Sequence, residues 1–192
     1  MMKIGVLALQ GAFSEHIRIL TQLGVQTTEV RLPGELDGLD GLIIPGGEST
    51  AIIRLVDKYG LREPICHLGL AGVPIMGTCA GLILLAKSAA RDDLKTFGLM
   101  DITVHRNAFG RQVDSFEVSL NMPCLGAELY RAIFIRAPII ETIGTSCNVL
   151  ASLHSGEIVA VRQGNLLALA FHPELDSDTR LHSYFLKMTE GI

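Results

Sequence analysis

The chain has 192 residues, 48% of them hydrophobic and 19% charged, with a net charge of −4. That length supports one domain with a sizeable core and is short for two, and the composition excludes disorder. A negative balance without a basic block argues against nonspecific nucleic-acid binding, and no run of about 18 apolar residues is present to span a membrane.

Residues 3–10 open the chain with an apolar run. It is too short for a secretory leader and runs into Gln10 and Gly11 without a cleavage site, so it reads as a first strand. Residues 14–23 read as a helix, with Ser14 as N-cap and Gly24 just past the end. Strands follow at 26–31 and 41–44, helices at 49–58 and 62–70, and a short buried strand at 73–76. Residues 82–87 are rich in helix formers. This alternation implies a parallel sheet covered by helices on both faces. From residue 96 the pattern changes to short apolar or alternating runs at 102–105, 115–119, 132–135, 156–162 and 166–171, which suggest added antiparallel strands. Residues 179–189 close the chain as a helix. No repeat, linker or low-complexity tract divides it, so 1–192 reads as a single domain.

Gly77, Thr78, Cys79, Ala80 and Gly81 stand between the strand at 73–76 and the helix at 82–87. Strand, tight turn with flanking glycines, then helix is the build of a nucleophile elbow, which raises one side chain above the sheet. That side chain here is Cys79. A cysteine at a helix N-terminus meets positive partial charge that favours the thiolate. A lone cysteine is otherwise a small buried hydrophobe, so the assignment needs a partner base. His172 and Glu174 lie just beyond the apolar run 166–171, with Pro173 between them. In extended backbone, residues two apart point the same way, so imidazole and carboxylate can meet. Both motifs then lie at carboxyl ends of strands, where open α/β sheets place their sites. Alone, His-Pro-Glu is equally a surface turn.

Pro45, Gly46, Gly47, Glu48, Ser49 and Thr50 follow the strand 41–44 and precede a helix. They present backbone N–H groups towards an anion, but lack the Gly-Lys-Ser/Thr ending of a nucleotide loop. This loop can supply one N–H donor of an oxyanion hole, with the Ala80 N–H as the second; an ordinary tight turn would also explain the glycines. Arg106 and Arg136 offer planar guanidinium groups for a carboxylate, although solvated arginine is the commoner case. The four cysteines, Cys66, Cys79, Cys124 and Cys147, lack CxxC or metal-ligand spacing and read as reduced thiols of an intracellular protein. No metal or cofactor is implied.

Gly-Thr-Cys-Ala-Gly with a distant His-Pro-Glu resembles the class I (triad) glutamine amidotransferases. The runs Leu7-Ala8-Leu9-Gln10-Gly11-Ala12-Phe13, Glu15-His16, Pro45 to Thr50, Arg106 to Gln112 and Phe134 to Pro138 narrow the likeness. Together they closely resemble the glutaminase subunits of pyridoxal phosphate synthase complexes, over essentially the whole chain. The resemblance implies a three-layer αβα, flavodoxin-like fold with a mainly parallel central sheet and added antiparallel strands. It also implies a Cys79–His172–Glu174 triad that hydrolyses glutamine, and glutamine contacts from Gly47, Glu48, Ser49, Arg106, Ile135 and Arg136. Gln10 and His16 are implied on a surface facing the partner. That partner is a TIM-barrel synthase subunit in a large multi-copy cytoplasmic assembly, which joins the released ammonia to ribose phosphate and triose phosphate. Two alternatives stand beside this one: a non-catalytic regulatory subunit and a DJ-1-like cysteine hydrolase.

Overall fold

The structure is a computed structural model that describes residues 2–90, 93–106 and 115–191. Strand β1 (Lys3–Leu7) leads through helix α1 (Phe13–Gln22) to β2 (Gln26–Val30), and β3 (Gly41–Ile44) leads through α2 (Ser49–Lys58) and α3 (Arg62–Leu70) to β4 (Ile75–Thr78). After α4 (Ala80–Leu85) come β5 (Ala86–Ala89), β6 (Met100–His105), β7 (Ser115–Leu120), β8 (Tyr130–Ile135), β9 (Ile139–Ile143), β10 (Asn148–Ser152), β11 (Ile158–Gln163), β12 (Leu166–Leu169) and α5 (Arg180–Thr189). The main sheet runs β2-β1-β3-β4-β12-β11-β9-β6-β5, with β10 on β11; β7 and β8 form a separate antiparallel pair.

From β2 to β12 every pairing is parallel, β11, β9 and β6 each run antiparallel to the strand before them, and β5 closes the edge parallel to β6. The β3, β4 and β12 residues are buried throughout, the pattern of strands covered on both faces. The chain steps one way from β1 to β2 and the other way from β3 to β4. Right-handed crossovers therefore put α1 on one face and α2 and α3 on the other. Helix α5 joins α1 on its face, where His16 meets His182. Helix α4 is apolar all round, and all six of its residues are buried.

The alternation read from the sequence is present, with differences at particular elements. Helix α1 starts at Phe13 behind Ala12, and the Ser14 hydroxyl bonds Glu15 instead of capping the helix. Gly24 does sit past the helix end at φ +74°. The helix expected over 82–87 begins two residues earlier and gives way at Ala86 to β5. Strands β5, β9 and β10 had no sequence expectation.

Candidate active site

Three neighbouring strands deliver the site. Parallel pairing aligns Ile44 with Gly77 and Thr78 with Leu169, so the segments after β3, β4 and β12 leave the same edge side by side. They carry the 45–50 loop, Cys79 and the His172–Glu174 turn.

Cys79 has φ 49° and ψ −99°, a conformation that side-chain-bearing residues rarely adopt. Two close approaches force it. A Cβ on Gly77 would lie 2.5 Å from the Gly81 carbonyl, and one on Gly81 would lie 2.0 Å from the Ile44 carbonyl oxygen. Glycine at both positions lets α4 turn back hard against β3 and β4. The thiol does not stand free above the sheet as the elbow pattern suggests: Cys79 is only 7% exposed. It lines the wall of a half-open cleft because the end of β8 lies over it, with the Ile135 carbonyl oxygen 3.7 Å from Sγ.

His172 and Glu174 are both buried, with Nδ1 2.6 Å from Glu174 Oε1. The His172 N–H donates to the Ile133 carbonyl at 2.8 Å, and Phe171 packs on Phe134 with centroids 5.5 Å apart, so β8 holds the turn in place. Burial works against charge on the imidazole. Hydrogen bonds with Cys79 and Glu174 and the Glu174 charge outweigh it, and the imidazole pKa is pushed up to about 10. Burial would likewise raise the Glu174 carboxyl, but His16 and His172 hold it below the ordinary value.

The 45–50 loop is gripped from the segment ahead of α1. Gly46 carbonyl oxygen accepts from the Ala12 N–H at 3.0 Å, and the Glu48 N–H donates to Gln10 Oε1 at 2.8 Å. A Cβ on Gly46 would lie 2.4 Å from the His172 ring, so only glycine lets the loop reach the imidazole. Glu48 caps α2 by accepting from the Thr50 and Ala51 N–H groups, and its Oε1 lies 3.5 Å from Arg106 Nη2. Burial would raise its carboxyl; those N–H bonds and Arg106 keep it below the ordinary value.

Cys79 and His172 open into a cavity of about 390 Å³ together with Ala80, Gly47, Glu48 and Ser49. Arg106, Ile135 and Arg136 complete its wall, along with Ile83. Arg136 shares with Cys79 the rarity of a positive φ, at 45°. Every residue expected in the triad, the oxyanion hole or glutamine contact is thus at this one cavity or, for Glu174, directly behind it. Residues 107–112 of the Arg106 to Gln112 motif lie outside the described residues.

His16 is a correction. It was expected on a partner-facing surface but is 0% exposed. Its Nδ1 is 2.9 Å from His182 Nε2, its Nε2 is 3.3 Å from Thr78 Oγ1, and the same Nε2 is 3.4 Å from Glu174 Oε2. The signal was available: His16 shares a helical face with Ile19 and Leu20, which are buried with it. Gln10 is half-buried and engaged with Glu48. Ile83, Thr78 and His182 had no place in the sequence reading of the site.

The profile of the SNO glutamine amidotransferase family matches residues 6–191. The pyridoxal 5′-phosphate synthase subunit PdxT of Moorella thermoacetica is 58% identical over 187 residues, spanning 97% of this chain and 99% of that protein. The PdxT subunit of Dehalococcoides mccartyi is 56% identical over 191 residues, 98% of each chain. A crystal structure of a glutamine amidotransferase superposes with a TM-score of 0.92 at 45% identity, over 98% of this chain and 99% of that one. A site cut into the edge of a parallel sheet and a family match running almost end to end lead to one conclusion: this chain belongs to the SNO glutamine amidotransferase family.

Proposed function

We propose that Cys79, His172 and Glu174 form a catalytic triad by which this chain serves as the glutaminase subunit of a pyridoxal phosphate synthase. It hydrolyses L-glutamine to L-glutamate and ammonia within a single glutaminase domain. The observation that carries the reading is the buried His172–Glu174 pair at 2.6 Å beside a cysteine on a strained elbow, all at one cavity.

The thiolate of Cys79 attacks the side-chain amide carbon. The tetrahedral oxyanion is held by the Gly47 and Ala80 N–H groups, the latter opening α4 where first-turn N–H groups lack an intrahelical carbonyl. His172, oriented by Glu174, gives its proton to the departing nitrogen as the C–N bond breaks, leaving a γ-glutamyl thioester. Water, losing a proton to the same imidazole, attacks the thioester, and glutamate leaves as the thiol reforms. Arg106 and Arg136 face the substrate α-carboxylate, Glu48 the α-ammonium, and Ser49 and Ile135 complete the fit. No metal or cofactor is needed for these steps.

Ammonia is largely protonated at neutral pH and lost to solvent, so direct delivery to the synthase subunit makes chemical sense. In our reading that subunit is a TIM barrel that combines ammonia with ribose phosphate and triose phosphate in a multi-copy cytoplasmic complex, docking near Gln10. The test is glutamate release from glutamine by the chain with and without a pyridoxal phosphate synthase barrel subunit. Release that depends on Cys79 supports the reading; none in either condition overturns it.

A further inference from the structure

Behind the triad lies a second buried layer that the chemistry above does not use. Glu174 Oε1 is taken by His172, while Oε2 is buried without a hydrogen bond among the described residues and has His16 Nε2 3.4 Å away. His16 Nδ1 in turn faces His182 Nε2 at 2.9 Å, and His182 Nδ1 is buried with no partner among the described residues. One proton sits between the two rings, and its position decides the chemistry. If His16 carried it on Nδ1, His182 would have to bury an unpaired Nδ1–H, and the His16 Nε2 lone pair would face a carboxylate oxygen. If His182 carries it on Nε2, His16 Nδ1 accepts, His16 Nε2–H points at Glu174 Oε2 and Thr78 Oγ1, and only a bare nitrogen lone pair is left unpaired. The second arrangement avoids both penalties.

We propose that His16 is a positioning residue for the triad: its Nε2–H holds Glu174 Oε2, with His182 fixing the tautomer, so that Oε1 stays aimed at His172. Burial keeps both imidazoles neutral, His182 strongly so, which the single shared proton requires. The placement also ties the site together. Helix α1 carries His16 to Glu174, and the segment just ahead of it, Gln10 to Ala12, holds the 45–50 loop. Helix α1 and the segment that leads into it thus set both the carboxylate and the 45–50 loop.

The inference rests on the triad reading, and the test separates the two. Two polar variants of similar size are compared in the complex with the synthase subunit. His16→Gln places an amide where Nε2 was and reaches Glu174; His16→Asn places it near Nδ1 and does not. We expect His16→Asn to lower kcat about 10- to 100-fold with KM nearly unchanged, and His16→Gln to recover most of it. The proton NMR signal of the His172 Nδ1–H, shifted far downfield by its carboxylate partner, should be kept in His16→Gln and lost or moved in His16→Asn. Equal kcat and equal signals in the two variants overturn the proposal. Cys79→Ala is the control: if it still releases glutamate the triad reading fails, whereas an inactive Cys79→Ala beside a wild-type His16→Asn sinks the His16 role alone.

Discussion

Thr78 and Leu169 are register partners in adjacent parallel strands, and the next peptide extends the ladder, with the Cys79 N–H donating to the Leu169 carbonyl at 2.8 Å. This pairing sets the offset between Cys79 and His172. A slip of β12 by one residue would turn its side chains to the opposite face and carry His172 away from the thiol. Such slippage is resisted because all four β12 residues are buried.

The triad roles predict a graded series. Cys79→Ala should cut glutamate release at least about a thousandfold, and His172→Asn should be nearly as damaging. Glu174→Gln should retain roughly a hundredfold more activity than His172→Asn, because the carboxylate orients the imidazole while the imidazole moves the protons. Steady-state assays of the three variants check this. Equal, small losses would contradict the roles.

The alkaline limb of kcat/KM should report His172. Its imidazole holds a proton up to about pH 10 because Cys79 and Glu174 outweigh burial. Glu174→Gln removes a charge and weakens the bond that raise this value, so the limb should move to lower pH. A pH profile of both enzymes with glutamine measures it; an unmoved limb would contradict the assignment.

Acid should destabilise the fold through the paired histidines. Burial lowers His16 from 6.5 and lowers His182 well below it. The unfolded chain takes up these protons as pH falls through about 6.5, and the folded chain resists until lower pH. Their contribution is full above that value and is lost on acidification. Glu174, lowered from 4.5, adds loss in the same direction at lower pH. His172, raised to about 10, works the other way, but its contribution is already complete once pH has fallen below about 6.5. Urea midpoints should therefore fall from pH 6.5 down to 5, and His182→Gln should flatten that slope. An identical slope in the variant would count against the buried neutral pair.

Two glycines should fail differently. Gly24→Ala meets no atom within 4 Å and is strained only by φ +74°, about 1–2 kcal/mol. Gly81→Ala drives a Cβ to 2.0 Å from the Ile44 carbonyl oxygen, where backbone must move. It should cost at least about 3 kcal/mol and misplace Cys79. Denaturant titration of both, with glutamate release measured alongside, tests the contrast.

Partner dependence makes the last prediction. An uncoupled glutaminase wastes glutamine, and the Gly46–Gly47 peptide is free of side chains that would hinder reorientation. The chain alone should turn over slowly, and titrating in the synthase subunit should raise kcat as docking near Gln10 selects the competent loop. Full activity of the isolated chain would show that no such gating operates.

The sequence was clearest where local chemistry and tertiary packing agree. Helix α2 and strand β3 have the bounds read from their patterns, because each is a clean apolar stripe or run between turn residues; α3 keeps its expected bounds too, although Ile65 alone of its residues is buried. Strands β9 and β10 were invisible because Glu141, Thr142, Asn148 and Ser152 break the apolar signal, and partners on β6 and β11 define them instead. Residues 86–89 look helical by propensity, yet pairing with β6 makes them a strand. At the site, contiguous motifs were legible and depth was not. The α1 pattern puts His16 on the buried face with Ile19 and Leu20, but only the fold shows that what it meets there is Glu174.

Strand β12, inserted between β4 and β11, leaves the ribosome after both of them and far later than Cys79. Until β12 slots in, the cysteine has neither its imidazole nor the Leu169 carbonyl that receives its N–H. On the triad reading, a chain that has not yet placed β12 carries an unarmed thiol, and reactivity towards glutamine arises only when the sheet is closed around its last parallel strand.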